Sequence, residues 1–241
     1  MGGAATAVAK DPWALRANPS LAAWLDGRSF SVAHSPSWLG IPELGRSAFV
    51  YVEPTSFGVF ACGGARFGIP LYRETDLSVT FASVVSDRLG YGVSVQAFFL
   101  TIERYGSART IGITGGFSYA FSEEVLFGCS ARNLNAPRLG VSREKLPQSF
   151  AFGLEYRPLR GITLDADAVR EIGFPFEAHI GFACELAGCL SIMAGASDQP
   201  STYSTGLGVS FGYLQIDYGL TAHPDLGISH HFSISLYLGA L

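Results

Sequence analysis

Asp165 and Asp167 stand one residue apart in the stretch Gly161-Ile-Thr-Leu-Asp-Ala-Asp-Ala-Val169. Carboxylates at that spacing can hold a divalent cation or share acid–base work, provided they converge on one point. Glu155 and Glu177 lie in the flanking segments and widen the acidic set, while Arg132, Arg157 and His179 are cations placed to neutralise it. His230-His231 has the look of a metal-ligand pair, and Gly206-Leu-Gly-Val-Ser-Phe-Gly212 that of a phosphate loop. The four cysteines, Cys62, Cys129, Cys184 and Cys189, follow no zinc spacing. Which of these chemistries is available depends on the elements that carry the residues.

Those elements are strands. Ile162, Leu164, Ala166 and Ala168 fall on one face of an extended segment, and Thr163, Asp165 and Asp167 on the other. The same two-residue period returns at 149–157, 176–184, 205–213, 214–220 and 231–238, and earlier at 110–119. The pattern predicts about fourteen strands, many near the roughly 9–11 residues that cross a bilayer at a tilt. The register is least distinct between residues 28 and 72.

Composition separates a membrane barrel from a soluble sandwich. The chain is 48% hydrophobic and carries 29 glycines. Its mean hydropathy is +0.28, and its only lysines are Lys10 and Lys145. A water-facing sheet surface needs Lys, Glu and Arg. Here the less hydrophobic face is mostly Gly, Ser, Thr and Ala. No apolar run approaches the roughly 18 residues of a spanning helix; the longest, Val95-Gln-Ala-Phe-Phe-Leu-Thr-Ile102, is interrupted. The expected fold is all-β: a transmembrane antiparallel barrel at residues 28–241, preceded by a short helical plug at 1–27. Short links at 54–56, 86–88, 122–123, 158–159, 185–188 and 212–213 alternate with longer ones at 36–46, 67–74, 102–108, 134–148, 197–203 and 221–227. Tight turns on one rim are periplasmic in outer-membrane barrels, so both termini are expected there. The net charge of -4 with no basic stripe excludes nucleic acid. No full secretory signal is present, and an export signal is expected upstream of Met1.

In such a barrel the candidate sites read differently. Arg132, Glu155, Arg157, Asp165, Asp167, Glu177, His179, Gln215, Asp217 and His231 all fall on the lumen face. An acid facing lipid would cost up to a few kcal/mol near the midplane, so alternation alone explains the aspartate pair. Inward acids usually pair with inward cations. His230 and His231 point to opposite faces and cannot chelate together. Cys184 and Cys189 fall out of phase, against a disulfide. No helix follows the Gly206–212 run. We therefore expect no metal, no cofactor and no catalytic residue. Outward Tyr119, Phe121, Tyr156, Phe182 and Tyr213 sit near short turns, as an aromatic girdle would. Apolar lumen positions are few: Leu126, Met193 and Phe98.

The opening, Met1-Gly-Gly-Ala-Ala-Thr-Ala-Val-Ala-Lys-Asp-Pro-Trp-Ala-Leu-Arg-Ala-Asn-Pro-Ser-Leu-Ala22, resembles that of PorV/PorQ-type outer-membrane proteins. Gly2, Gly3, Asp11, Trp13, Asn18 and Pro19 carry the match. Residues 117–128, 131–135, 146–158 and 218–236 resemble later hairpins of that family, in order. The resemblance implies a fourteen-stranded barrel related to the FadL fatty-acid transporters, with the N-terminal segment in the lumen. It implies an accessory role in type IX protein secretion or surface attachment, with secretion-system proteins or cargo as partners. The alternative is a FadL-like channel or binding protein for a hydrophobic small molecule. Outer-membrane lipid is a partner in both. The chain is short for the family and its loops are small, which weighs against docking of cargo.

Overall fold

In a bilayer every backbone N–H and C=O must be bonded within the protein, so a spanning sheet has to close on itself. The computed structural model of the chain describes residues 1–9, 11–37, 41–140 and 143–239. Lys10 and small parts of the 36–46 and 134–148 connections lie outside the described residues. The strands are β1 (Ser29–Ser35), β2 (Arg46–Thr55), β3 (Gly58–Gly68), β4 (Tyr72–Ser86), β5 (Leu89–Ile102), β6 (Gly106–Ala120), β7 (Val125–Arg132), β8 (Arg138–Leu139), β9 (Glu144–Lys145), β10 (Ser149–Leu159), β11 (Ile162–Glu171), β12 (Phe176–Leu186), β13 (Leu190–Asp198), β14 (Ser201–Phe211), β15 (Leu214–His223) and β16 (Gly227–Tyr237). Fourteen of them form one closed antiparallel barrel, in which each strand pairs with its neighbours in sequence and β1 pairs with β16. β8 and β9 form a separate small hairpin in the connection between β7 and β10.

The outward face is mostly apolar. Val79, Ile111, Phe117, Phe152, Ile180 and Phe211 are among the large side chains exposed there. Cys62, in β3, shares this face, and all four cysteines are free thiols. The short-turn rim follows the expectation: the strands turn at 56–57, 87–88, 121–124, 160–161, 187–189 and 212–213. The other rim departs from it. Strands extend further than the pattern shows, and the connections shrink to 69–71, 103–105, 199–200 and 224–226. A further turn at 172–175 was not marked by the pattern. Only 36–45 and 133–148 remain as true loops. The reason is physical: beyond the apolar belt both faces of a strand meet polar surroundings. Tyr72-Arg-Glu-Thr-Asp76 therefore shows no alternation, although its backbone is fully paired.

The core lies inside the barrel, between the wall and residues 1–27. The N-terminal segment forms two turns of 3-10 helix, Pro12–Arg16 and Pro19–Trp24, and no α-helix among its described residues. Each begins with an Asp-Pro or Asn-Pro step. The Asp11 side chain accepts from Trp13 N–H and the Asn18 side chain from Ser20 N–H, with proline at the first helical position. Leu15, Ala22 and Leu25 pack on Val50, Val52, Val59, Ala61 and Ala82 of the wall. Leu21, Val8 and Ala14 pack with Leu126. The expectation of few apolar lumen positions is thus corrected: Val50, Val52, Val59 and Ala61 also face inward. They lie on β2 and β3, where alternation was least distinct because both faces are apolar.

An outward charge tests the lipid assignment. Ile180→Arg, at the centre of β12, should destabilise the barrel in liposomes by about 2–4 kcal/mol if this face meets the bilayer midplane. Denaturant unfolding of the reconstituted protein measures it. The polar substitution Ser191→Thr, on the lumen face of β13, should change stability little.

Candidate functional site: the plugged lumen and its mouth

The aspartate pair holds the plug. Asp167 is buried, and its carboxylate accepts from the backbone N–H groups of Ala5 and Thr6, both at 2.8 Å. Glu155, also buried, accepts from Ala9 N–H at 3.2 Å and from Arg157 at 2.7 Å. These bonds satisfy amides of a segment that has no sheet partner, and bonds to an ionised acceptor are the stronger kind. Asp165 stands directly opposite Glu155 in the ladder. It is buried, with neither carboxylate oxygen bonded among the described residues. No group of three or more metal-ligating side chains converges among the described residues.

The other lumen residues spread around the wall. His179 Nδ1 lies 2.8 Å from the Gly2 carbonyl oxygen, and its Nε2 lies 3.6 Å from Glu177. Gly2 N–H donates to Ser204 Oγ at 2.8 Å. Gly2 has φ +60, and a Cβ there would stand 2.5 Å from the backbone of Ala196, so only glycine fits. Gly3 lies against the His179 ring. Gln215 donates to Asp217 at 2.8 Å. His231 Nδ1 is 2.7 Å from Ser35 Oγ. Arg132 donates to the carbonyl of Arg16 at 3.0 Å.

Asn18 is the centre of the plug. It is fully buried and donates to the carbonyls of Thr6 (2.8 Å) and Phe117 (3.2 Å). Its Oδ1 accepts from Ser20 N–H (3.1 Å) and Ser20 Oγ (2.8 Å). The wall has to be bare for this: a Cβ on Gly116 would lie 2.0 Å from Asn18 Oδ1, and one on Gly128 2.0 Å from the Thr6 carbonyl. Pro19 is similarly close to Gly92. Trp13 donates to Ser233 Oγ at 3.1 Å, and Trp24 to Ser118 Oγ at 2.8 Å.

Three residues that sequence reasoning did not single out, Arg16, Arg46 and Asp76, sit where the plug meets the loop rim. Arg16 Nη2 is 2.7 Å from Asp76 Oδ1. Near them a cavity of about 380 Å³ is lined by Phe67, Phe98, Leu100, Leu139, Leu146 and Pro147, with Arg46, Glu74 and Asp76 at its polar side. The loop 133–148 roofs it. Asn133, buried at φ 54, anchors that loop by donating to the Pro147 carbonyl at 2.7 Å. A smaller cavity of about 200 Å³ holds Trp13, Arg16, Ser35, Arg46 and His231. A third, of about 310 Å³, shares Trp13, Ser35 and His231 and reaches Met193 and Asp217. Neighbouring cavities therefore share lining residues from the loop rim down one side of the plug. Apart from Phe98, the large apolar residues of the mouth come from strand ends and from a loop, and the period singled out none of them.

No protein-family model and no curated protein matches the sequence. Solved structures share the fold. The toluene transporter TodX of P. putida superposes with a TM-score of 0.77 over 100% of this chain and 97% of that one, at 14% identity. The toluene transporter TbuX of Ralstonia pickettii gives 0.73 over 99% and 97%, at 14% identity. A Pseudomonas aeruginosa FadL homologue gives 0.64 over 98% and 95%, at 14% identity. The chain thus has the barrel fold of FadL-type outer-membrane transporters. The expected PorV/PorQ membership rests on the sequence resemblance alone.

Two outcomes follow for the plug. Asn18→Ala removes the two donated bonds, including the one to the Thr6 carbonyl within the plug, and should loosen residues 12–24 by about 1–3 kcal/mol. Hydrogen exchange of their amides would show it. Asp11 lies in the plug, outside the spanning strands. Burial first, and the Asp217 charge with it, push its carboxyl up to about 6, against the opposing Trp13 N–H. A carboxyl in water titrates near 3.9. The docked plug therefore binds a proton more tightly than the released one. Docking is favoured most below about pH 4, weakens as pH rises to about 6, and stays weaker above. Exchange measured from pH 5 to pH 7 should rise beyond its intrinsic pH dependence, and Asp11→Asn should remove that excess.

Proposed function

We propose that this protein admits small hydrophobic molecules across the bacterial outer membrane, with the pocket beneath loop 133–148 as their first binding site. The observation that carries the reading is that pocket: six apolar side chains at the loop rim, above a plug whose flank holds further cavities. Small-molecule sites are concave and mostly apolar, with a few placed polar groups. The solved structures that share the fold include two toluene transporters and a monoaromatic hydrocarbon channel. In this reading the short-turn rim and both termini face the periplasm, loop 133–148 faces outward, and the plug is the gate. No bond is made or broken in the passage.

The type IX secretion reading draws on the PorV/PorQ resemblance. It would need a docking surface for cargo on the outer rim, where most connections are turns of two to four residues.

Uptake into proteoliposomes tests the proposal. Toluene flux should exceed that of empty liposomes, and Asn18→Ala should raise it further by loosening the gate. Equal flux with and without protein, together with co-purification of secreted cargo from native membranes, would favour the secretion role instead.

A further inference from the structure

The lipid-facing side of β3–β6 changes character along one line of the ladder. Gly64, Leu77, Ala97 and Ile111 stand side by side across these strands, the last row without a polar side chain before the loop rim. The next row outward is Arg66, Thr75, Phe99 and Arg109. One step further, Arg73 pairs with Thr101, and Thr101 with Ser107. Alternation puts all three arginines on the same face as exposed Phe60, Leu77 and Ile111. Arg66 and Arg109 are exposed and Arg73 is half-buried. From the turn at 56–57 to Arg66, about nine strand steps of ~3.3 Å at a tilt of ~40° climb ~23 Å. An apolar belt is ~25 Å tall, so these arginines stand at its outer edge, where lipid heads begin.

The protein supplies these three cations with no counter-ion. Among the described residues none of them forms an ion pair. Glu74 and Asp76 of β4 face the lumen pocket, and the exposed acids Glu43 and Glu103 lie in the connections 36–45 and 103–105, paired with none of them. Two arginines elsewhere on the barrel are engaged. Arg28, at the short-turn rim, holds Glu53 at 2.7 Å, and Arg170 of β11 lies 4.7 Å from the centre of the Phe176 ring. At the outer edge of the belt the available anions are phosphates of lipid heads, and a guanidinium fork matches a phosphate with two parallel bonds. Arg66 and Arg73 are neighbours on paired strands, while Arg109 stands three strands from Arg66, ~14 Å away at ~4.8 Å per strand. That spacing suits a head with a phosphate at each of two ends better than a single phosphate. The Thr75 and Thr101 hydroxyls lie between the ends, and Leu77, Val79, Val95 and Ile111, exposed below them, make a bed for acyl chains.

We propose that the outer ends of β3–β6 form a lipid-facing site for an outer-leaflet lipid whose head carries two phosphates. Arg66 and Arg73 hold one phosphate and Arg109 the other. This rests on the orientation given above, in which the loop rim faces outward, and not on what passes through the lumen.

Native mass spectrometry of the delipidated barrel in detergent micelles tests it, with diphosphoryl lipid A, monophosphoryl lipid A and phosphatidylglycerol as separate probes. Diphosphoryl lipid A should bind at least about tenfold more tightly than phosphatidylglycerol, with the monophosphoryl form between. The double variant Arg66→Gln, Arg109→Gln should weaken diphosphoryl lipid A by about tenfold, and Arg66→Lys, Arg109→Lys by less, since it keeps the charge without the fork. The control pair Arg28→Gln, Arg170→Gln removes the same charge elsewhere and should stay within about twofold of wild type. An unchanged heat-shift on a denaturing gel confirms that each variant is folded. Phosphatidylglycerol binding as tightly as diphosphoryl lipid A, or the control pair weakening it as much as the site pair, would overturn the proposal. Displacement of the lipid by millimolar inorganic phosphate would overturn it too, reducing the site to one for free anions. The orientation is read separately, on Tyr105→Cys at the exposed tip of the β5–β6 turn. A membrane-impermeant maleimide should label it on intact cells above the wild-type level. Labelling only after lysis would remove the outer leaflet as the source of the lipid, whatever the barrel binds in micelles. Toluene flux is independent of every one of these outcomes.

Discussion

Pairing of β1 with β16 is the contact on which the rest depends. Ser29 to His34 register against Tyr237 to Phe232, and with that seam made the sheet has no edge. In lipid an open edge would leave a row of N–H and C=O groups unsatisfied, each costing several kcal/mol. Closure then imposes one consequence on every strand. Alternate residues face hydrocarbon and alternate residues face a confined interior. The apolar side chains that would form the core of a soluble protein are spent on the outside, and the interior has to be filled by other means.

The chain fills it with its own first residues. A segment inside a barrel has no strand partner, so its amides need other acceptors. Asp167 serves Ala5 and Thr6, Glu155 serves Ala9, and Asn18 ties Thr6 to Phe117. The wall yields space where the backbone comes close, which is why the lumen face is bare at Gly116 and Gly128. Charge, small size and burial at these positions are one solution to one packing problem. The plug is held by polar contacts on a few side chains and by two apolar clusters, separate from the ladder that closes the barrel.

The interior is not filled evenly. On the β1, β2 and β16 side, cavities adjoin Trp13, Arg16 and Arg46, and they share residues with the apolar pocket at the loop rim. The mouth pocket therefore has an apolar wall and a charged side made by Arg46, Glu74 and Asp76.

By itself the sequence determined the barrel and, wherever one face is apolar and the other polar, the side a residue takes. A period of two survives any tertiary arrangement, and an acid such as Asp165 or Asp167 on the alternate face has only the lumen to occupy. The count of about fourteen strands and the short-turn rim were legible for the same reason. The tertiary structure alone decided what the lumen residues do. That Asp167 caps plug amides while Asp165, two residues earlier, meets none depends on where residues 1–9 come to rest. Alternation is silent on a segment outside the sheet. It was silent also at β2 and β3, where both faces are apolar, and at the outer strand ends, where both are polar. Arg46, Asp76 and Phe67 lie in those stretches, and they reach the mouth only through barrel curvature and the fold of loop 133–148. Period is a local property of the chain; convergence of side chains from four or five strands is a property of closure.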